Sequence, residues 1–592
     1  MNGRGSGRSR GRAREPRGRV VGVVGRRGRF QVVEPLFERG GQIPLARGKL
    51  NPKPGQMVLA EPAPRGVRVS RVLGSPKRAR DVVEALLWEG VERRGFARRL
   101  DNEARESIPG AAEVDPTRRD LRDLRTFTVD PATARDFDDA VSAEPDGDGV
   151  RLWIHIADVS GHVRPGSALD SEAARRTTSV YVPGMVEPML PRALSDDACS
   201  LVPEVDRLAV TAEIRLDAGG APRSASFYRS RIRSDARLDY DQLDEVFAGR
   251  GEAPGPVAEP LSLARRAAAA LAERRPVGAL EIESFEPEFD FDSDGAVVAA
   301  RGVAQTEAHR LIEHLMILAN ERVAELLERR KAATLYRVHE QPDPERVQRL
   351  LDQLATLEVP TPPTPDRLSP SEAGALVGDA SRLVAAEARR RGHGRDAYAS
   401  LVLRSLKQAY YLERNLGHAG LGSPAYCHFT SPIRRYPDLI AHRALLATLG
   451  AGENEPDPTE VREAGWRCSE RERDAMRIER RADRVCAGFL LERELFERGW
   501  ETPFDGEVSG LVGAGAFVRF GGELGDVYEG FVPARSFHGE RFDLNEAETA
   551  LVGGRTGREV RLGDPITVTV HSVEPARGRA DLEPAYDPDR ST

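Results

Sequence analysis

The chain has 592 residues, 40% of them hydrophobic and 31% charged, with a formal net charge of −7. That length is too great for one ordinary core and predicts roughly four domains, in a composition typical of a soluble globular protein. No run of about 18 apolar residues is present, which predicts no membrane span, and the opening MNGRGSGRSRGRAREPRGR lacks the apolar region of a secretory signal, so the cytoplasm is the expected location.

Residues 1–19 carry seven arginines against one glutamate, a basic tail of the kind that scans phosphate backbones. The tail can also reflect a chain-wide preference for arginine, since the only lysines are Lys49, Lys53, Lys77, Lys331 and Lys407. RVVGVVGRRGRFQVVEP and QIPLARGKLNPKPGQMVLAEP then read as short strands broken by Gly and Pro, a small β-barrel over 20–75. A helical connector over 76–116 follows, with Val82, Val83, Leu86, Leu87 and Val91 at helical spacing.

From 117 to 500 strands and helices mix. RTFTVD and VRLWIHIADV are strand-like, and RLAVTAEIRL puts Val210, Ala212, Ile214 and Leu216 on one face. Ile312, Leu315, Met316, Ala319, Val323 and Leu326 stripe one helix, VPTPPTPDRLSP is a Pro-rich loop, and 461–498 is one long charged helix. Short strands and glycine turns return over 501–584 as a second barrel, leaving 585–592 as a short tail. Cys199, Cys427, Cys468 and Cys486 are scattered without a CxxC pair, which predicts neither a disulfide framework nor a zinc site.

VDPATARDFDDAV places Asp130, Asp136, Asp138 and Asp139 within ten positions. Like charges so close repel, so the stretch is either a solvated loop or a cation site. An all-oxygen set suits a hard cation that keeps some of its water, Mg²⁺ or Mn²⁺ before zinc. Ca²⁺ is disfavoured because the EF-hand spacing is missing. Such a site performs hydrolytic phosphoryl chemistry. A second stretch, YCHFTSPIRRYPDLIAHR, sets Arg434 beside Arg435 among Thr430, Ser431, His428 and His442, interleaved with Tyr426, Phe429 and Tyr436. Arginine forks match phosphate oxygens and aromatic faces stack on bases. The same residues also read as a helix start, with Ser431 at the turn and Pro437 in the first turn.

TVDPATARDFDDAV, IHIADVSGHVRPGSALDSEAARRTTSVYVPGMVEPMLPRALSDDACSL, AHRLIEHLMILANE, LYRVHE and YCHFTSPIRRYPDLIAHR together resemble the RNB exoribonucleases, in order, from about residue 60 to 583. The resemblance implies a multidomain α+β chain, with a mixed α/β RNB domain between a cold-shock-like and an S1-like OB barrel. It implies processive, metal-dependent 3′→5′ hydrolysis of single-stranded RNA to nucleoside 5′-monophosphates by a monomer, with DNA bound weakly or left uncut. By the same match Asp130, Asp136 and Asp139 hold metal, Asp138 is the carboxylate the chemistry cannot spare, and Arg434 with Arg435 clamps phosphate. Tyr181, in TSVYVP, resembles the aromatic packed on the terminal nucleotide, and Glu479, in RIERRAD, a glutamate near the RNA 3′ end. Tyr181 can equally be a packed strand aromatic, and Glu479 a solvated helix charge. Phe504, Phe517, Phe520 and Phe531 are stacking candidates on the second barrel, some of which must fill its core; Phe517 and Phe531 are taken as RNA-facing.

The chain departs from the family pattern in two ways. Only one cold-shock-like barrel fits before the RNB domain where two are usual, and no Lys-rich segment follows the S1-like barrel. A smaller funnel over the site is therefore expected. The competing reading is an RNA-binding protein or chaperone with a silent nuclease centre, against which the retention of all four aspartates and of TSPIRRYPD argues.

Overall fold

The computed structural model describes residues 18–585 except 39, 93, 111–114, 276–279, 281–284, 366, 522–526 and 538; most of the basic tail and nearly all of 585–592 lie outside the described residues. Five strands form the first barrel: Val20–Arg27, Phe30–Pro35, Ile43–Pro44, Met57–Ala63 and Gly66–Gly74. The first of them pairs with both the second and the fourth, and a parallel bridge between Leu45 and Val67 draws the two sheet edges together. The connector contains two helices, Ala79–Gly90 and Arg98–Glu106. Val91, expected on the first of them, already has extended backbone past its end.

The centre is a seven-stranded sheet in the order Ala236–Asp239, Thr126–Asp130, Asp139–Asp146, Gly149–Ala157, Asp206–Leu216, Pro222–Arg233 and Arg119–Asp120. Side-chain alternation splits its residues between two cores. On one face Phe127, Val129, Ile154, Val210, Ile214 and Leu216 pack against helices Ala258–Glu273 and Glu307–Arg330. On the other, Ala140, Ala157 and Ala209 meet Leu169, Met189 and Leu439.

Helix Pro458–Arg498 runs for 41 residues, started by Asp457, which accepts from the Thr459 and Glu460 N–H groups, with Pro458 in its first turn. Beyond it, Phe504–Val512, Gly515–Phe520, Tyr528–Pro533, Arg579–Pro584 and Pro565–Glu574 close a second barrel. A single apolar cluster threads Met57 and Leu59 of the first barrel, Val82 and Leu86 of the connector, Val485 and Leu491 of the long helix, and Val518 and Leu582 of the second barrel. Between residues 344 and 405, where the sequence suggested only a Pro-rich loop, three helices (Pro344–Thr356, Pro370–Arg391, Arg395–Ser405) build a small core of their own around Leu350, Val377 and Tyr398.

Candidate active site

Strand Thr126–Asp130 runs antiparallel to Asp139–Asp146, so the intervening loop leaves and returns at neighbouring strand ends. Phe137 anchors that loop: its ring is buried and its N–H donates to Ser200 Oγ at 3.0 Å. An apolar anchor between Asp136 and Asp138 keeps both carboxylates near the sheet edge instead of in open water.

Asp138 is only 4% exposed. Its Oδ1 accepts the Ile433 N–H at 2.8 Å, and its Oδ2, 3.5 Å from Arg434 Nε, is buried without a hydrogen-bond partner. Asp130 Oδ2 is likewise buried and unpartnered. Asp136 Oδ2 accepts the Tyr181 hydroxyl at 2.6 Å. Burial, then the charges of Asp139 and Asp136, push Asp130 up to about 8. Burial lifts Asp139 to about 6 and holds Asp138 well above the usual carboxylate range, both opposed by Arg434. A dry pocket of repelling carboxylates binds protons unless a cation replaces them.

The four aspartates do not form a ready-made cage. Among the described residues no three His, Cys, Asp or Glu side chains are grouped so as to hold a metal ion. The two orphaned oxygens nevertheless fit a hard cation of the Mg²⁺ type, which keeps several waters and takes one or two carboxylates together with substrate phosphates.

The second motif forms a turn, Ser431–Arg434, that leads into helix Tyr436–Thr448. Ser431 does not cap that helix, which starts five residues later; its N–H donates to Asp438 Oδ1 at 2.8 Å. Tyr426, Phe429 and Tyr436 are buried in the core, so they offer no face to a base, contrary to the stacking role the sequence suggested. His428 pairs with the Tyr411 hydroxyl and His442 with the Phe429 carbonyl, and burial keeps both neutral. The Arg434 side chain is 43% exposed and faces Asp138. Arg435 borders the same cleft as Arg434, but its fork is closed on Asp438 through bonds of 2.9 and 2.8 Å.

A cleft of about 1960 Å³ opens in front of Asp136, Tyr181, Arg434 and Glu479, and Arg477, Arg480 and Arg484 of the long helix and Arg519 and Arg579 of the second barrel extend its wall. Arginines outnumber carboxylates on that wall. Tyr181 and Glu479, 298 residues apart, meet there: Glu479 Oε1 accepts the Tyr181 N–H at 2.9 Å. Of the barrel aromatics, Phe504 and Phe520 are core; Phe517 is 38% exposed, with its ring 5.1 Å from that of Phe531, and neither of this pair lies on the cleft wall.

Tyr240 has no counterpart in the sequence reading. Asp239 pairs with Asp130 in parallel register, which carries Tyr240 to the cluster, where Asp139 and Asp130 add to burial in raising its hydroxyl pKa. Its ring stacks on His309 at 3.9 Å. The local sequence signals only a helix start, and register alone supplies the neighbour.

The model of the RNB domain matches residues 118–451. Ribonuclease R of Escherichia coli is 35% identical over 496 residues, covering 81% of this chain and 58% of that protein, so the chain spans less than two thirds of that relative's length. Ribonuclease R of Aquifex aeolicus is 36% identical over 529 residues, covering 87% of this chain and 72% of that protein. The solved structure of Mycoplasma genitalium RNase R in complex with ribose-methylated single-stranded RNA superposes with a TM-score of 0.84 at 25% identity, over 96% of this chain and 90% of that one. The aspartate loop and the arginine turn meet inside the matched segment, more than half of the chain, and with relatives this extensive the chain belongs to the RNB family of ribonucleases.

Proposed function

We propose that the chain is a 3′→5′ exoribonuclease that hydrolyses single-stranded RNA to nucleoside 5′-monophosphates. The observation that carries this reading is Asp138 Oδ2, buried, unpartnered and 3.5 Å from a half-exposed arginine beside a basic cleft. Asp130 and Asp138, with Asp136 and Asp139 beside them, are the residues that would hold Mg²⁺ or Mn²⁺. A bound divalent cation supplies charge neutralisation at the scissile phosphate. Arg434 meets the phosphate oxygens with its guanidinium fork. The Ile433 N–H fixes the Asp138 carboxylate, so that Oδ2 stands beside Arg434 where it would meet that cation. Tyr181, hydrogen-bonded to Asp136 and to Glu479, presents its ring to the terminal nucleotide.

Both barrels are read as OB folds, a view supported by a parallel contact in each among the described residues, Leu45 with Val67 and Phe531 with Asp581. Phe517 and Phe531 then form a stacking platform outside the cleft. Among the described residues no helix is long and apolar enough to cross a membrane.

The test is incubation of 5′-labelled single-stranded RNA with the protein and Mg²⁺, with and without chelator. A chelator-sensitive ladder with 5′-monophosphate release is the expected outcome. A stable shifted complex without products would favour an RNA-binding protein with a silent centre.

A further inference from the structure

We infer that Arg435 and Asp438 are a positioning pair for the hydrolytic site, so that of the two adjacent arginines only Arg434 touches substrate. The inference rests on the nuclease reading and refines it.

Asp438 is fully buried and holds three donors: Arg435 Nε and Nη2, and the Ser431 N–H. One carboxylate therefore fixes both ends of the Ser431–Arg435 turn. Two groups that reach Asp138 project from that turn, the Ile433 N–H and the Arg434 guanidinium, which also donates to Ser431 Oγ at 3.1 Å. The far side of the turn is tied to the strand bearing Tyr181. Ser179 N–H donates to the Arg434 carbonyl at 2.9 Å and Tyr436 N–H to the Thr177 carbonyl at 2.8 Å, around a bridge between Thr178 and Arg435.

Thr177 gives an independent sign that this junction is over-determined. It is β-branched, buried and held at φ 61°, a conformation such residues rarely adopt unless their surroundings impose it. A guanidinium bound bidentately to a buried carboxylate has little left to offer a phosphate. Its remaining use is to set where Arg434 and Ile433 stand.

The experiment compares D438N, R435Q, the double variant and R435K with wild type. Positioning predicts that kcat for nucleotide release falls about ten- to a hundredfold in D438N and R435Q, the scale set by a misplacement of about an ångström. KM, and RNA affinity measured by anisotropy in chelator, should stay within about twofold. The double variant, which leaves no unpaired buried charge, should be no worse than either single one, and R435K should recover part of the loss. Hydrogen exchange of the Ser431, Ile433 and Arg434 amides and of the 177–179 amides should quicken in D438N. Loss of RNA affinity in R435Q with none in D438N, or unchanged exchange in D438N, would overturn the inference. A wild-type protein that releases no nucleotide would sink only the nuclease reading, because exchange and affinity still decide the role of the pair.

Discussion

Mg²⁺ should stabilise the folded chain more strongly as pH rises from about 6 to 8. That holds whatever the net slope without the cation, to which buried histidines kept neutral, such as His428 and His442, add a rise. Asp130 is raised from 3.8 to about 8 by burial and by the Asp139 and Asp136 charges. A carboxyl whose folded pKa lies above its unfolded value lends its full stability in acid and loses it as pH rises through the folded value. Over this window the native chain holds a proton that the unfolded chain has released, which amounts to a loss of about 2 kcal/mol. Asp139, raised to about 6, has lost most of its contribution before the window opens. Glu89, pushed up to about 7 by burial, declines over the same range. It accepts the Val21 N–H at the first barrel, outside the cluster, so the cation leaves its contribution unchanged. The difference between chelated and Mg²⁺-loaded unfolding midpoints, followed by circular dichroism across the pH series, therefore isolates the aspartates. A difference between the two midpoints that stays constant across the pH series would refute the reasoning; so would an unchanged pH dependence of that difference in D130N.

Asp138→Asn should keep RNA binding by anisotropy, since the Ile433 contact and the basic wall remain, yet lower nucleotide release by about a hundred- to a thousandfold. Tyr181→Ala should lengthen the limit product seen on sequencing gels, because a stacking face is worth about 1–3 kcal/mol. Phe517→Ala should weaken single-strand affinity with little change in thermal midpoint, whereas Phe520→Ala, at a fully buried position, should cost about 3–5 kcal/mol of stability. DNA of the same sequence should bind but resist cleavage when tested by competition and turnover, because 2′-hydroxyl contacts are expected to position the scissile phosphate.

Local pattern made some of this site readable from sequence. Four aspartates in ten residues and two adjacent arginines are contiguous, so their chemistry shows without a fold. The alternation Val210, Ala212, Ile214, Leu216 gives a buried strand face directly, and the structure places all four in one core. What pattern could not supply was register and occupancy. Tyr240 reaches the aspartates only because Asp239 aligns with Asp130. Tyr426, Phe429 and Tyr436 looked like base platforms because aromatics among arginines are ambiguous until burial is known. The Arg435–Asp438 pair lies three residues apart in RRYPD, but only the fold reveals that it also holds Ser431. The helices between 344 and 405 were masked by the prolines at 360–370, which punctuate the segment without saying what stands on either side.

The apolar cluster that threads both barrels, the connector and the long helix bears on how such a chain can be recombined. Small β-barrels trade well between proteins when each closes its own interior and meets its neighbours through water. Here Met57 and Leu59 of the first barrel, Val82 and Leu86 of the connector and Val485 and Leu491 of the long helix belong to one interior, which continues to Val518 and Leu582 of the second barrel. A graft made at residue 75 would leave the connector's apolar face to be matched by a foreign surface. A workable exchange carries helix Ala79–Gly90 along with its barrel, and rewrites the facing positions of the long helix at the same time.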